Sequence, residues 1–147
     1  MTSIKKYVNN LSDEDLKRLY KKMLMIRKCE EHLGEATKNG AFPGAVHLYI
    51  GQEAIAVPLC DQLNDSDWIS STHRGHGHFI AKGGDIKKMM AEIYGKSPGI
   101  CGGKGGSMHV ADFKKGIIGA NGVVAVSYTH LRAHETLRYL VCRLLLE

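Results

Sequence analysis

The sequence lacks any run of apolar residues long enough to cross a membrane. A transmembrane helix needs roughly 20 consecutive, mostly apolar residues, and no stretch of this chain approaches that length. The N-terminus, residues 1–10, is polar and has no apolar core of the kind found in a secretory signal. These absences exclude a membrane-spanning segment and predict a cytoplasmic protein.

Cysteine is sparse, and its spacing matches no metal or redox motif. No two of the four cysteines form the C-x-x-C pair that zinc sites and redox motifs share. With 147 residues, 44% hydrophobic and 24% charged, the composition is that of one ordinary globular domain. Reduced structural thiols are therefore expected at Cys29, Cys60, Cys101 and Cys142.

A concentrated patch of positive charge is also missing, although the net charge is +5. Residues 1–40 contain nine Lys/Arg and six Asp/Glu, so the first predicted helix carries both basic and acidic side chains. That mixture is typical of a solvated helix face. A nucleic-acid module instead gathers its charge on one face, often beside aromatic residues. The distribution therefore predicts no nucleic-acid partner.

The spacing of apolar residues predicts three helices, one extended segment and one short strand. Ser12, with Asp15 three residues later, has the pattern of a capping box, and the helix it opens is predicted to end near Gly40. The other predicted elements are helices over residues 52–63 and 85–94, an extended segment over 46–50 and a short strand over 68–70.

The glycines all lie between Gly34 and Gly122, and they are most concentrated toward the end of that range. Nine of the 17 glycines lie between Gly95 and Gly122, which predicts a long ordered loop whose backbone can approach a ligand closely. Residues 102–109 (GGKGGSMH) resemble a phosphate-binding loop only in composition, because Gly105 stands where that motif requires Ser or Thr. Nucleotide binding by this route is therefore not expected.

Histidine supplies the strongest chemical signal. Residues 73–78 (HRGHGH) place three imidazoles beside one guanidinium, with glycines expected to hold the backbone open. The residues alone leave three interpretations open: a metal site, an anion site built on the arginine fork, or a hydrogen-bonded loop without a ligand. His47, on the predicted extended segment, is a second candidate, for which a structural role is the alternative.

Four stretches, taken in order, resemble the α subunits of thiamine-diphosphate-dependent dehydrogenases, the E1 components of pyruvate and acetoin dehydrogenase complexes. They are residues 47–54 (HLYIGQEA), 72–78 (THRGHGH), 103–109 (GKGGSMH) and 116–121 (GIIGAN). The resemblance runs from about Leu16 to Val126. It implies an α/β fold: the N-terminal portion of a thiamine-diphosphate-binding fold, with a helix-rich arm and the first strands of a parallel sheet.

The resemblance assigns cofactor-binding roles to four residues. Arg74 would hold the diphosphate of thiamine diphosphate, with His73 beside it. Gly116 and Ile118 match the loop whose backbone groups bond the aminopyrimidine ring. His73 stands where many pyruvate-type members have tyrosine, and this departure resembles the acetoin branch.

Catalytic roles are implied for His47, which matches the histidine near the substrate carbonyl, and for His109, which would order the active-site wall. The implied reaction cleaves a carbon–carbon bond next to a carbonyl, with the cofactor as electron sink. The two-carbon unit then passes to the lipoyl group of a partner acyltransferase or to an artificial acceptor. The glutamate that activates the cofactor belongs to a β subunit in this family, so Glu53 and Glu92 are not given that role.

Two departures from the family pattern limit what this chain can do. The magnesium motif, Gly-Asp-Gly followed later by Asn, is absent, so no residue here is predicted to bind magnesium. From Ser127 the sequence stops resembling the family and is similar to sequencing-adapter read-through, although an amphipathic C-terminal helix is the alternative. The predicted domains are therefore 1–126, the N-terminal part of an E1 α domain, and 127–147, a tail outside the family.

The sequence thus predicts part of the α subunit of an acetoin-type oxidoreductase that works with a β subunit in a heterotetramer. A pyruvate dehydrogenase α subunit is the nearest alternative. A truncated fragment without catalytic activity is the alternative from another class, and a histidine-based metal-binding module is a third.

Overall fold

The computed structural model describes residues 11–42 and 44–122, and within them it has the predicted α/β character. In chain order the elements are α1 (Asp13–Lys38), α2 (Glu53–Asp61), β1 (Ile69–Thr72), α3 (His76–Ala81), α4 (Ile86–Ile93), a 3₁₀ turn (Phe113–Lys115) and β2 (Ile117–Asn121). None of the described helices is long and apolar enough to cross a membrane.

Helix α1 begins and ends where its sequence predicts. Ser12 accepts a hydrogen bond on Oγ from the backbone N–H of Asp15 at 3.1 Å, and the Asp15 carboxylate accepts one from the N–H of Ser12 at 3.3 Å. This reciprocal arrangement satisfies two donors that a helix start would otherwise leave unpaired. Asn39 caps the other end, and Gly40 follows with φ of 68°, a conformation that glycine adopts without strain.

The core forms where α1 packs against α2 and α3. Helix α2 is confirmed within the predicted range, and α4 begins directly after Asp85, whose carboxylate accepts from the N–H groups of Lys87 and Lys88. The core-facing side of α1 carries one acidic residue, Glu30, which is fully buried. The largest apolar side chains buried in the core are Tyr49, Phe79, Ile26, Leu33, Met89 and Val57.

The segment predicted to run extended over residues 46–50 pairs with no strand among residues 11–42 and 44–122. Side chains from other elements take its backbone groups instead. Ser107 accepts from the N–H of His47, Arg74 donates to the carbonyl of Leu48, and Glu30 accepts from the N–H of Tyr49. Buried backbone groups need partners, and here the partners are side chains.

Helix α3 corrects a second expectation, because residues 73–78 are not an open loop throughout. The chain becomes helical at His76, and it does so while burying His76, Phe79, Ile80 and Ala81. Gly77 makes this packing feasible, since a Cβ there would lie 2.1 Å from Cδ1 of the buried Tyr49 ring. Tertiary burial, which local composition does not reveal, sets this helix.

The two strands form a small parallel sheet. β1 pairs with β2 in a register that joins Ser70 to Gly119 and Thr72 to Asn121, with an irregularity between Ile69 and Ser70. The short strand predicted over 68–70 is therefore present but shifted toward the C-terminus. Because the strands are parallel, both end at the same edge, and ligands of α/β proteins bind at this edge.

Candidate active site

Most of the predicted site residues follow or border the carboxyl edge of the parallel sheet. His73 and Arg74 come directly after β1, and Gly122 comes directly after β2. Gly75 packs closely against the ends of both strands. A Cβ on Gly75 would lie 3.3 Å from the Cβ of Ala120 in β2 and 2.7 Å from Oγ of Ser71 in β1. This close approach requires a small residue at position 75.

Three predicted residues meet beside this edge. The rings of His47 and His73 pack edge to face, with centroids 5.2 Å apart and planes at 89°. The guanidinium of Arg74 donates to the carbonyl of Leu48, the residue next to His47. Arginine carries five N–H donors, so one anchoring bond leaves it able to bind an anion. The fold thus brings His47, His73 and Arg74 together from two segments.

The surroundings of His47 favour its neutral form. Burial lowers the pKa of His47 below its usual value, and the nearby His73, Arg74 and His76 lower it further. Its Nδ1 atom is buried and has no hydrogen-bond partner within residues 11–42 and 44–122. A neutral imidazole near pH 7 can act as a proton or hydrogen-bond acceptor.

A second group of predicted residues lines a cavity of about 310 Å³ along β2. His109 and Ile118 both contribute to its wall, together with Ser70 and Asn121. The His109 ring also packs against the exit of β2, since a Cβ on Gly122 would lie 2.8 Å from its Cε1 atom. His109 thus lines this cavity, and its role in ordering the active-site wall stays a prediction.

Gly116 lies at the other end of β2 and does not line this cavity. It has φ of 70°, and a Cβ there would lie 2.4 Å from the carbonyl oxygen of Asp67. Its own carbonyl accepts from the N–H of Ile69 at 2.8 Å, and its N–H donates to Phe113 at 3.2 Å. These contacts account for a glycine here, and its cofactor-binding role stays a prediction.

The metal interpretation of the histidine cluster finds no support in the described residues. Both ring nitrogens of His76 are engaged: Nδ1 lies 2.9 Å from Oε1 of Glu30, and Nε2 lies 3.0 Å from Oγ of Ser107. A histidine ligand binds through a free ring nitrogen. Across residues 11–42 and 44–122, no three His, Cys, Asp or Glu side chains are grouped so that they could hold a metal ion.

Glu92 is a buried residue whose role sequence reasoning missed. One of its oxygens accepts from the N–H groups of Cys101 and Gly103 at 2.8 and 2.7 Å, and the other from Gly105 and Gly106 at 2.6 and 3.3 Å. Burial alone would raise the pKa of Glu92, but these four donors hold it below its usual value. Converging backbone N–H groups form anion sites, and here the anion is internal, so the loop does not need a phosphate.

Glu30 and Ser107 are the other important residues that sequence reasoning did not single out. Glu30 contacts both His76 and the backbone of Tyr49, and Ser107 contacts both His76 and the backbone of His47. The arrangement has the order of a Ser-His-acid triad. Ser107, however, is buried and already accepts from the N–H of His47, so it is not placed as a nucleophile.

The sequence model of a family described as "Dehydrogenase E1 component" matches residues 21–135, most of the chain. The chain belongs to this E1 family. The match includes every predicted site residue, from His47 to Ile118. It also continues past Val126, where the resemblance was predicted to stop.

Relatives in the E1 family include two acetoin:2,6-dichlorophenolindophenol oxidoreductase α subunits. The one from Bacillus subtilis is 53% identical over 88% of this chain and 39% of its own length. The one from Cupriavidus necator is 56% identical over 78% of this chain and 34% of its own length. The pyruvate dehydrogenase E1 α subunit of Zymomonas mobilis is 46% identical over 76% of this chain and 32% of its own length. The chain thus spans about a third to two fifths of these curated relatives.

These findings confirm the predicted family and α/β class of this E1 segment. The predicted division into 1–126 and 127–147 stays a prediction, because the tail lies outside the residues that the structure describes. The same holds for the choice between an artificial tail and a C-terminal helix.

Proposed function

We propose that this chain is part of the α subunit of a thiamine-diphosphate-dependent acetoin dehydrogenase. The observation that carries the proposal is the meeting of His47, His73 and Arg74 at the carboxyl edge of a parallel sheet. The acetoin assignment is supported by the identities of 53% and 56% to acetoin enzymes, against 46% to a pyruvate enzyme. A pyruvate dehydrogenase α subunit is the alternative.

The described residues fit a diphosphate-bearing cofactor. Arg74 provides a planar cationic fork suited to phosphate, and the ring of His73, packed on His47, lies at the same place. The cavity of about 310 Å³ along β2, which Ile118 and His109 line, offers a surface for a heterocyclic ring. When bound, thiamine diphosphate would supply the electron sink that carbon–carbon cleavage requires.

The residues of this chain would bind and orient the reactants and move a proton. Arg74 and His73 would hold the diphosphate, and backbone groups near Ile118 and Gly116 would face the aminopyrimidine ring. His47, kept neutral by its surroundings, would accept or return a proton at the substrate oxygen. His109 would close the wall of the cavity and exclude water.

Magnesium does not fit the described residues, so no step is assigned to it here. The ion prefers oxygen ligands, yet the buried carboxylates of Glu30, Glu53 and Glu92 are all committed to bonds within the protein. The sequence also contains no Gly-Asp-Gly motif. If the active enzyme uses magnesium, residues other than these must hold it.

The proposal requires two protein partners. A β subunit would supply the glutamate that activates the cofactor and complete the site, and a lipoyl acyltransferase would receive the two-carbon unit. The alternative from another class is a fragment without catalytic activity, which the absence of a Gly-Asp-Gly motif favours.

The test is turnover by the complete α subunit assembled with its β subunit. We expect thiamine-diphosphate-dependent reduction of dichlorophenolindophenol, with a higher kcat/KM for acetoin than for pyruvate. A preference for pyruvate would replace the acetoin assignment with the alternative. No turnover of either substrate by a folded, cofactor-loaded assembly would overturn the proposal.

Replacing Arg74 by alanine is expected to weaken cofactor binding by about 1.5–3 kcal/mol, roughly 10- to 150-fold, because a charge-assisted hydrogen bond to phosphate is lost. Arg74→Lys should lose less, since it keeps the charge but not the fork. Calorimetry on the assembled enzyme measures both affinities, and the melting temperature checks for loss of the Leu48 contact. Unchanged affinity in Arg74→Ala would remove Arg74 from the site.

Replacing His73 by tyrosine is expected to keep cofactor binding largely intact and to shift substrate preference toward pyruvate. A phenol can still donate a hydrogen bond and pack edge to face on His47, but it cannot become a cation. Because His73 helps to lower the pKa of His47, that pKa should rise in the variant. The acid limb of the pH–kcat profile should then move to higher pH, and an unmoved limb would contradict the coupling.

A further inference from the structure

We propose that Glu30, His76 and Ser107 are positioning residues for His47, which they hold through one buried chain of hydrogen bonds. The inference rests on the proposed function insofar as His47 acts on the substrate. No role follows for these three residues from the family resemblance. Their placement in the fold is what suggests one.

The chain of bonds begins at Glu30, which belongs to α1 and has no contact with solvent. Its Oε2 atom accepts from the N–H of Tyr49 at 2.8 Å, and its Oε1 atom lies 2.9 Å from Nδ1 of His76. A carboxylate can only accept, so Nδ1 of His76 carries the hydrogen. Glu30 therefore fixes the tautomer of His76 as well as the backbone of Tyr49.

The chain continues from His76 through Ser107 to His47. Nε2 of His76 lies 3.0 Å from Oγ of Ser107, and that Oγ accepts from the N–H of His47 at 3.0 Å. In the neutral state of His76 the hydroxyl hydrogen of Ser107 points to Nε2. In the cationic state Nε2–H donates to the carbonyl of Ser107, which lies 3.1 Å away. The bond to His47 is made in both states.

His47 depends on these backbone anchors because little else holds it. Within the part of the chain that the structure describes, its segment pairs with no strand, so no ladder of hydrogen bonds there sets its position. Its Nδ1 has no partner among the described residues, and its ring packs edge to face on His73. The location of the imidazole therefore follows from where its backbone is fixed, by Ser107 on one side and by Glu30 through Tyr49 on the other.

The energetics also favour positioning over stability as the reason for this network. Burying a carboxylate and an imidazole in a core carries a desolvation cost that apolar residues of similar volume avoid. An apolar residue at position 30 would match the neighbouring core positions Ile26 and Leu33. A fully satisfied polar network rigidifies the groups it joins, and here those groups flank the predicted catalytic histidine.

The experiment uses the complete α subunit assembled with its β subunit, with Ser107→Ala, Ser107→Thr and Tyr49→Phe compared with wild type. Ser107→Ala removes the acceptor for the N–H of His47, and Ser107→Thr restores a hydroxyl. Tyr49→Phe is the matched control, because it deletes a hydroxyl at similar depth and leaves the backbone bond to Glu30 in place.

We expect Ser107→Ala to lower kcat on the order of 10- to 100-fold, as misplacement of a reacting group does, while KM and cofactor affinity change little. Ser107→Thr should recover part of the rate, and Tyr49→Phe should match wild type. A second readout does not depend on turnover: the rate at which diethyl pyrocarbonate modifies His47, followed by mass spectrometry, should change in Ser107→Ala alone.

The two readouts separate the positioning proposal from the proposed function. If wild type turns over neither acetoin nor pyruvate, the proposed function fails, and the modification rate of His47 still decides the positioning. If Ser107→Ala does not fold, Glu30→Gln, which keeps the shape and breaks the charge, takes its place in both assays. Unchanged kcat with unchanged His47 modification overturns the positioning, as does a fall in kcat that equals the loss of folded enzyme.

Discussion

Replacing Glu92 by glutamine is expected to lower the free energy of unfolding by on the order of 2–6 kcal/mol, because each buried donor left without an acceptor costs about 1–3 kcal/mol. Four backbone N–H groups of residues 101–106 converge on this carboxylate. Glutamine presents an NH₂ group where two of those donors need an acceptor, so they are left unsatisfied. Urea denaturation measures the loss.

Glu35→Gln is the control for this change, because Glu35 is exposed on α1 and surface substitutions usually stay within about 0.5 kcal/mol. The pH dependence provides a second check. The pKa of Glu92 is lowered in the folded protein from 4.5, so its contribution is present above that value and is lost as the pH falls through the folded pKa. The difference between wild type and Glu92→Gln should therefore shrink in acid. A constant difference would contradict the charged arrangement.

The glycine loop shows what composition can and cannot reveal. The sequence predicts a long ordered loop that is not a phosphate loop, and the absence of the required Ser or Thr after Lys104 supports that reading. It does not reveal which group satisfies the loop. The available signal is the position of Glu92 on the same helical face as the buried Met89 and Ile93. An acid at a core position needs partners, and the glycine loop contains them.

Glu30 repeats this pattern on α1, between the buried Ile26 and Leu33. The adjacent Glu31 is chemically identical but is a partly exposed partner of Lys28. Composition and motif spacing do not distinguish these two glutamates. Only the helical periodicity indicates that Glu30 faces the core and Glu31 does not. The positions of α1, α2 and α4 could thus be predicted from caps and apolar spacing, whereas the polar network at the core could not.

Part of the candidate site could be predicted from the sequence, namely which segments form it. The order of the motifs indicates which segments meet, and parallel pairing of β1 with β2 brings their exits to one edge. Helix α3 and the unpaired segment around His47 were not predictable, because each is set by contacts from distant residues. His76 buries against Glu30, and Gly77 packs against Tyr49. Neither contact can be predicted from the local helix or strand propensity of the sequence.

The packing of Gly77 on Tyr49 leads to the second large expected effect. Gly77→Ala should lower the free energy of unfolding by about 3 kcal/mol, at the upper end of the cost of overpacking a core. Within a helix alanine would otherwise be favoured by roughly 0.5–1 kcal/mol. A Cβ at this position, however, would lie 2.1 Å from Cδ1 and 2.3 Å from Cε1 of Tyr49. That ring is fully buried, so it lies among packed core side chains and not at a free surface.

Two comparisons test whether the ring itself causes the loss. Gly34→Ala, also in a helix, should be close to neutral, because its new Cβ would lie 3.2 Å from the end of the flexible Leu48 side chain. In a Tyr49→Ala background, which removes Cγ together with the whole ring, Gly77→Ala should cost less than about 1 kcal/mol, so that the two changes are not additive. Urea denaturation of the two single variants and the double variant measures this coupling. An equal cost of Gly77→Ala in both backgrounds would show that the backbone of α3, and not the aromatic ring, requires glycine there.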